Sequence, residues 1–202
     1  MPQPLLLASS SPYRKALLMR LGLPFETASP DIDEAPREGE AADTLAVRLA
    51  REKACALAAA YPDHWIIGSD QVASLEDGQR LSKPGNMDRA TDQLCRSSGQ
   101  AVTFFTGLCL LNAANGEQQT HCEVFTAYFR DLSLEEIKYY LATEQPLDCS
   151  GSFKMEGLGI SLFRSLEGRD PNSLVGLPLI ALNAMLCNWG LNPLLATDRK
   201  RN

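Results

Sequence analysis

The sequence predicts an α/β fold built as one elongated unit with two lobes, and three observations lead there. Strand-like and helix-like patterns alternate from one end of the 202 residues to the other. The apolar fraction of 45% is ordinary for a protein with a proper core. No internal repeat or low-complexity linker divides the chain, so one domain is expected over residues 1–195, followed by the charged tail ATDRKRN at 196–202.

The elements follow in order. Leu5–Leu7 read as a short strand, and Pro12 as the first residue of a helix, where its missing N–H costs nothing. PFETASP is a second short strand before the acidic turn DIDEAPREGE. ADTLAVRLAREKACALAAAYP is a helix whose apolar stripe is expected at Val47, Ala50, Ala54 and Leu57. HWIIGSDQVASL is a buried strand, with Asp70-Gln71 expected at its polar end, and a loop carrying LSKPGN leads to the helix MDRATDQLCRSSG. AVTFFTGLCLLN and THCEVFTAYFR, joined by AANGEQ, form a hairpin. Ser133 and Glu136 have capping-box spacing at the next helix, with Leu132 and Ile137 as its hydrophobic staple. After the loop PLDCSGSFKMEG come an expected strand LGISLFRSLEG, a polar loop RDPNSLVG and the helix LPLIALNAMLCNW, which Gly190 ends.

Composition narrows the function. A net charge of -6 and a pI near 5.0 argue against a nucleic-acid polymer or an anionic membrane as the main partner. No apolar run approaches the roughly 20 residues of a membrane helix. The stretch MPQPLLLASSS lacks the basic start of a signal peptide. Six scattered cysteines (55, 95, 109, 122, 149 and 187) form no CxxC pair and are accompanied only by His64 and His121. That is no zinc pattern; it reads as reduced thiols in a cytoplasmic protein.

Three groups of residues can carry chemistry. Ser9, Ser10 and Ser11 stand at a helix mouth, where free N–H groups and a partial positive charge bind anions, with Arg14 and Lys15 one turn in. The same serines can simply cap the helix. Asp70 at a strand end can serve as a general base or hold a metal, or cap the next turn. Glu34, Lys53, Lys83, Lys154, Glu156 and Asp170 are single charges on loops and helices, informative only if they converge. A serine hydrolase is disfavoured, because no G-x-S-x-G elbow exists and neither histidine has an evident serine partner.

The segments LASSSPYRKALL, DIDE, AREKA, IIGSDQV, SKP, VTFFTG, GSFKMEG and EGRDPNSLVGLPL occur in the order found in Maf-like nucleoside triphosphate pyrophosphatases. The chain resembles that family from about residue 4 to 194, and within it the 7-methyl-GTP branch. The resemblance implies a fold like that of the inosine triphosphate pyrophosphatases, an elongated mixed sheet with flanking helices and two lobes around a cleft. It implies hydrolysis between the α and β phosphates, with a divalent cation such as Mg2+ or Mn2+, a nucleoside triphosphate as partner, and compatibility with a homodimer. By motif position, Asp70 is implied as proton acceptor, and Ser9, Ser10, Ser11, Arg14, Lys53 and Lys83 as phosphate binders. Lys154 joins them from the FKMEG motif, Glu34 and Asp70 are implied near the metal, and Tyr13, Gln71 and Glu156 separate substrate branches. Tyr13 departs from the arginine of the dTTP/UTP branch, and Ser82 stands where many relatives have glycine. The alternatives are a dTTP/UTP-type pyrophosphatase and a nucleotide-binding regulator of cell division.

Chemistry gives the branch a rationale. N7-methylation leaves guanine with a positive ring, for which an aromatic face such as Tyr13 is a platform worth ~1–2 kcal/mol when desolvated. Glu156 can accept hydrogen bonds from the guanine N1–H and exocyclic amine while adding favourable charge.

Overall fold

The structure is a computed structural model that describes residues 3–196; the charged tail expected from 196 onward lies, beyond Ala196, outside the described residues. Seven strands form one mixed sheet: β1 (Leu5–Ala8), β2 (Phe25–Ala28), β3 (Trp65–Leu75), β4 (Arg80–Leu81), β5 (Ala101–Asn112), β6 (Gln118–Phe129) and β7 (Phe163–Gly168). Five helices flank it: α1 (Pro12–Met19), α2 (Ala42–Ala58), α3 (Met87–Ser97), α4 (Leu134–Glu144) and α5 (Leu179–Asn188). The strand order is β2-β1-β3-β5-β6-β7, with β4 paired to β3. β1 runs parallel to β2 and β3, whereas β3, β5, β6 and β7 pair antiparallel in succession.

Side-chain alternation along the strands sorts the core by face. Leu5, Leu7, Trp65, Ile67, Leu108 and Leu110 meet α1 and α5 through Leu17, Leu18, Leu182 and Leu186. Their neighbours Leu6, Ala8, Ile66 and Cys109 point the other way, onto Ala50 and Ala54 of α2. At the far end of the sheet, Ala73, Phe104, Phe125 and Phe129 pack with Leu94 of α3 and Ile137 and Tyr140 of α4. Phe153 and Phe163 complete this body through edge-to-face contacts with Phe129 and with each other.

Close approach of α2 to the sheet depends on two glycines. A Cβ on Gly68 would run into the Ala50 carbonyl, and one on Gly107 into the Ala46 carbonyl. Because these positions carry no side chain, the helix lies directly on the sheet, and Lys53 reaches the β3 surface.

Several expectations need correction. Asp70 does not end its strand: β3 continues to Leu75, because β5 pairs with it along the whole of Trp65–Leu75. α2 stops at Ala58 and buries Leu45, Ala46, Leu49, Ala50, Lys53 and Ala54; Val47 turns partly outward, since the glycine-lined track sets the contact face. Residues 158–162 form a 3-10 turn, and only Phe163–Gly168 is strand. The capping box at Ser133 and Glu136 is present, Leu132 and Ile137 pack in one cluster, and Gly190 adopts a positive φ of 83° just past α5. No helix among the described residues is long and apolar enough to cross a membrane.

Candidate active site

β1 pairs with β3 only as far as Ile67, and β4 rejoins β3 at Ala73. Between those pairings one edge of β3 carries no strand, and a cavity of about 760 Å³ opens there. Asp70, Gln71 and Val72 form its floor. Twelve of the sequence-predicted site residues line it: Ser9, Ser10, Ser11, Tyr13, Arg14, Glu34, Lys53, Asp70, Gln71, Lys83, Lys154 and Glu156. Lys15 is exposed and absent from the lining, and Asp170 is fully buried elsewhere. Its carboxylate accepts from the Asn172 and Ile180 amides, capping the 3-10 turn at 171–175 and the start of α5.

The mouth of α1 is built as the serines suggest. Ser11 is the N-cap, its hydroxyl accepting from the Arg14 amide, and Pro12 follows. Ser9 is buried, and its Oγ accepts from the Ser11 amide at 3.1 Å. Ser10 is exposed at the cavity. Arg14 Nε donates to the Gly176 carbonyl at 2.8 Å, which fixes the plane of its guanidinium. Burial lowers its pKa, while Asp70 and Glu34 pull the other way.

The most telling contact is at Lys53. Its ammonium lies 2.6 Å from Asp70 Oδ1 and 2.7 Å from Glu34 Oε1, with Lys53 6% and Asp70 8% exposed. A buried charge needs such pairing, since the desolvation cost of an isolated one is prohibitive. Burial opposes ionisation of Glu34, but the hydrogen bond and charge of Lys53, backed by Lys83 and Arg14, hold its carboxyl below the usual range.

The loop bearing Glu34 is tied down from α2. Arg48 grips Glu40 with Nε at 2.6 Å and Nη2 at 2.9 Å, and reaches the Ala35 carbonyl at 3.0 Å. The Arg48 hydrogen bonds, followed by the Arg37 amide, pull the Glu40 carboxyl from 4.5 to about 2. A depressed folded pKa gives stability that is complete above the unfolded value and disappears as pH falls through the folded one. Arg48→Met is therefore expected to flatten the loss of thermal stability between about pH 4.5 and 2. A melting-temperature series in that window checks it, and an unchanged slope contradicts it.

The lining also includes residues that the sequence alone does not single out. Arg80 lines the cavity from β4, its guanidinium donating to the Glu40 carbonyl. Asp148 and Cys149 line it beside Tyr13. Burial first, then the influence of Cys149 and Asp148, raises the Tyr13 phenol, so it stays neutral. The Cys149 thiol is itself pushed up to about 12, by burial and then by Asp148. Gln93 joins two walls: Nε2 donates to the Ser82 carbonyl at 3.0 Å and Oε1 accepts from Ser152 at 2.6 Å. A two-residue strand and an amide within a helix leave no periodic signal in the chain.

Two predicted residues have partners of their own. Gln71 Nε2 donates to the Ser173 carbonyl at 2.7 Å, and Lys154 Nζ to the Glu144 carbonyl at 2.8 Å. Among the described residues no group of three or more His, Cys, Asp or Glu is placed to hold a metal ion.

The chain is 59% identical over 187 residues to a Pseudomonas aeruginosa PAO1 protein named 7-methyl-GTP pyrophosphatase, covering 93% of this chain and 97% of that one. The structure of the Staphylococcus aureus Ham1 protein superimposes with a TM-score of 0.50 at 13% identity, over 93% of this chain and 100% of the other. That likeness is one of fold, and it matches the expected α/β architecture of the inosine triphosphate pyrophosphatase type. Residues 4–189 match the family model described as Maf-like protein, and the chain belongs to that family.

Proposed function

We propose that this chain is a nucleoside triphosphate pyrophosphatase that cleaves 7-methyl-GTP between its α and β phosphates, with Asp70 as proton acceptor. One observation carries the reading: Arg14, Lys53, Lys83 and the mouth of α1 surround the carboxylates of Asp70 and Glu34 in a single cavity. A chain with net charge -6 gathers cations there against its overall balance.

The division of labour follows from position. Arg14, Lys83 and the α1 amides bind phosphate oxygens and offset the charge that develops on the pyrophosphate, a contribution that commonly exceeds proton transfer. Lys53 orients Asp70 through its 2.6 Å hydrogen bond, which places the carboxylate to take the proton of the attacking water. Ser9, Ser10, Ser11 and Lys154 complete the phosphate-binding set of this reading. Contact with several phosphates at once aligns the scissile bond for attack. Tyr13 gives the purine an aromatic face and Glu156 accepts from its edge, while Gln71 acts on selectivity through the backbone it holds.

A divalent cation fits this donor set in a limited way. Glu34 and Asp70 are the side chains that would hold it, two carboxylates close enough to share Lys53. Two carboxylates suit Mg2+ or Mn2+ that takes its remaining ligands from phosphates and water. When bound, the ion supplies charge neutralisation across the phosphate oxygens.

The reading extends to setting and shape. A cytoplasmic location is supported by six unpaired cysteines, and one domain with two lobes by separate apolar bodies at the two ends of a continuous sheet. A homodimer stays part of the proposal on family grounds.

A panel of 7-methyl-GTP, GTP, dTTP and UTP, assayed for pyrophosphate release with and without Mg2+ or Mn2+, tests the substrate. We expect 7-methyl-GTP to exceed GTP in kcat/KM by about tenfold or more, the value of roughly 1.4 kcal/mol from one cation–π platform and one carboxylate. A preference for dTTP or UTP overturns the branch, and binding without turnover on any nucleotide favours a regulator.

A further inference from the structure

The Ser69 hydroxyl has no role in the reaction above, yet it is fully buried one residue before Asp70. On an antiparallel strand its side chain points to the face opposite Asp70, toward the 171–175 turn. Ser69 Oγ lies 2.9 Å from the Gly176 carbonyl and 2.8 Å from the Gly107 carbonyl, so one hydroxyl proton is shared between them. The same Gly176 oxygen receives the Arg14 Nε hydrogen bond.

Gly176 fits this role closely. Its φ is 105°, a region that L side chains rarely adopt, and a Cβ there would sit 3.1 Å from Arg14 Nε. The turn it ends is held at three further points. Thr106 Oγ1 and Gln71 Nε2 donate to the Ser173 carbonyl at 3.0 and 2.7 Å, and Asp170 accepts from the Asn172 amide at 2.9 Å. Arg14 thus takes its direction from a backbone oxygen that the sheet itself fixes.

We infer that Ser69 is a positioning residue, which acts through the Gly176 carbonyl to aim the Arg14 guanidinium at the phosphates. Nε is committed to Gly176 and Nη1 makes only a long 3.5 Å hydrogen bond to Ser9 Oγ, so the terminal nitrogens of the fork face the phosphate site, the geometry that bidentate recognition needs. Without the hydroxyl the Gly176 carbonyl loses its tie to β3, and the fork loses its fixed plane. This inference rests on the proposed phosphate site but not on the identity of the base, so its test uses a ligand that has no base.

The test is a double-mutant cycle on the full chain, read as affinity for inorganic pyrophosphate by calorimetry in the presence of Mg2+. Ser69→Ala is expected to weaken binding about fivefold to tenfold, the range of one misdirected charge-assisted hydrogen bond. In the Arg14→Lys background, which has no Nε to orient, the same change is expected to have no further effect. Gly176→Ala serves as the second variant, with a loss of similar size that also vanishes in that background. Equal losses in both backgrounds assign Ser69 a merely structural role and overturn the inference. So does failure of the unaltered chain to bind pyrophosphate. A wrong nucleotide, by contrast, appears only in the substrate panel and leaves this cycle untouched.

Discussion

Asp70→Asn is expected to lower kcat for 7-methyl-GTP by about 10²–10⁴-fold, the usual contribution of a positioned general base. Binding of the nucleotide is expected to stay within roughly threefold, under about 0.7 kcal/mol. The two halves of this expectation have separate causes. Asparagine keeps the volume of the side chain but cannot accept a proton. Lys53 retains Glu34 at 2.7 Å, so the buried ammonium keeps one carboxylate and the fold is spared an unpaired charge. Steady-state kinetics beside calorimetric titration of a non-hydrolysable analogue separates them. Lost binding in a normally folded variant moves Asp70 to ion or substrate holding. Retained turnover removes it from proton transfer altogether.

Gly107→Ala is the second large effect. The added methyl group would fall on the Ala46 carbonyl and come within 2.6 Å of the Val47 amide nitrogen, all backbone atoms that cannot rotate away. α2 must lift from the sheet, at a cost of about 3 kcal/mol or more for overpacking against fixed atoms. For a chain of this size that is a fall of roughly 6–12 °C in melting temperature. Activity is expected to suffer beyond the loss of folded protein, because the lifted helix carries Lys53 away from Asp70, and Gly107 is the register partner of Asp70 itself. Phe129→Leu is the control, since it loosens the α3–α4 body far from that pair. If both variants lose stability alike and keep the same kcat per folded molecule, the glycine track has no part in setting the site.

These two expectations show what a chain reveals and what it conceals. Periodicity places nearly every element, because alternation and amphipathic stripes are written locally in the leucines of β1 or the hairpin of β5 and β6. The capping box at Ser133 and the glycine past α5 are equally local, and both are read without the fold. Motif order, for its part, points to residues that do meet in one cavity. The contact face of α2 is a different matter. Whether Val47 or Leu49 turns inward depends on two glycines on other strands, 19 and 58 residues beyond Leu49, and no window of sequence contains both. The extent of β3 past Asp70 likewise depends on pairing with β5. The same distance hides the tie between Ser69 and Gly176, 107 residues apart, and the grip of Lys53 on two carboxylates. Lys53 looks like a solvated helix lysine in sequence, and only the packed helix makes it a buried one.

The products of 7-methyl-GTP hydrolysis followed by phosphorus NMR, with Mg2+ present, test the central claim most directly. The account predicts the 7-methyl-guanosine monophosphate and pyrophosphate signals rising together in equal amounts, with no nucleoside diphosphate at any time. Appearance of the diphosphate with inorganic phosphate places the cut at the wrong bond and contradicts it, as does an unchanged triphosphate spectrum.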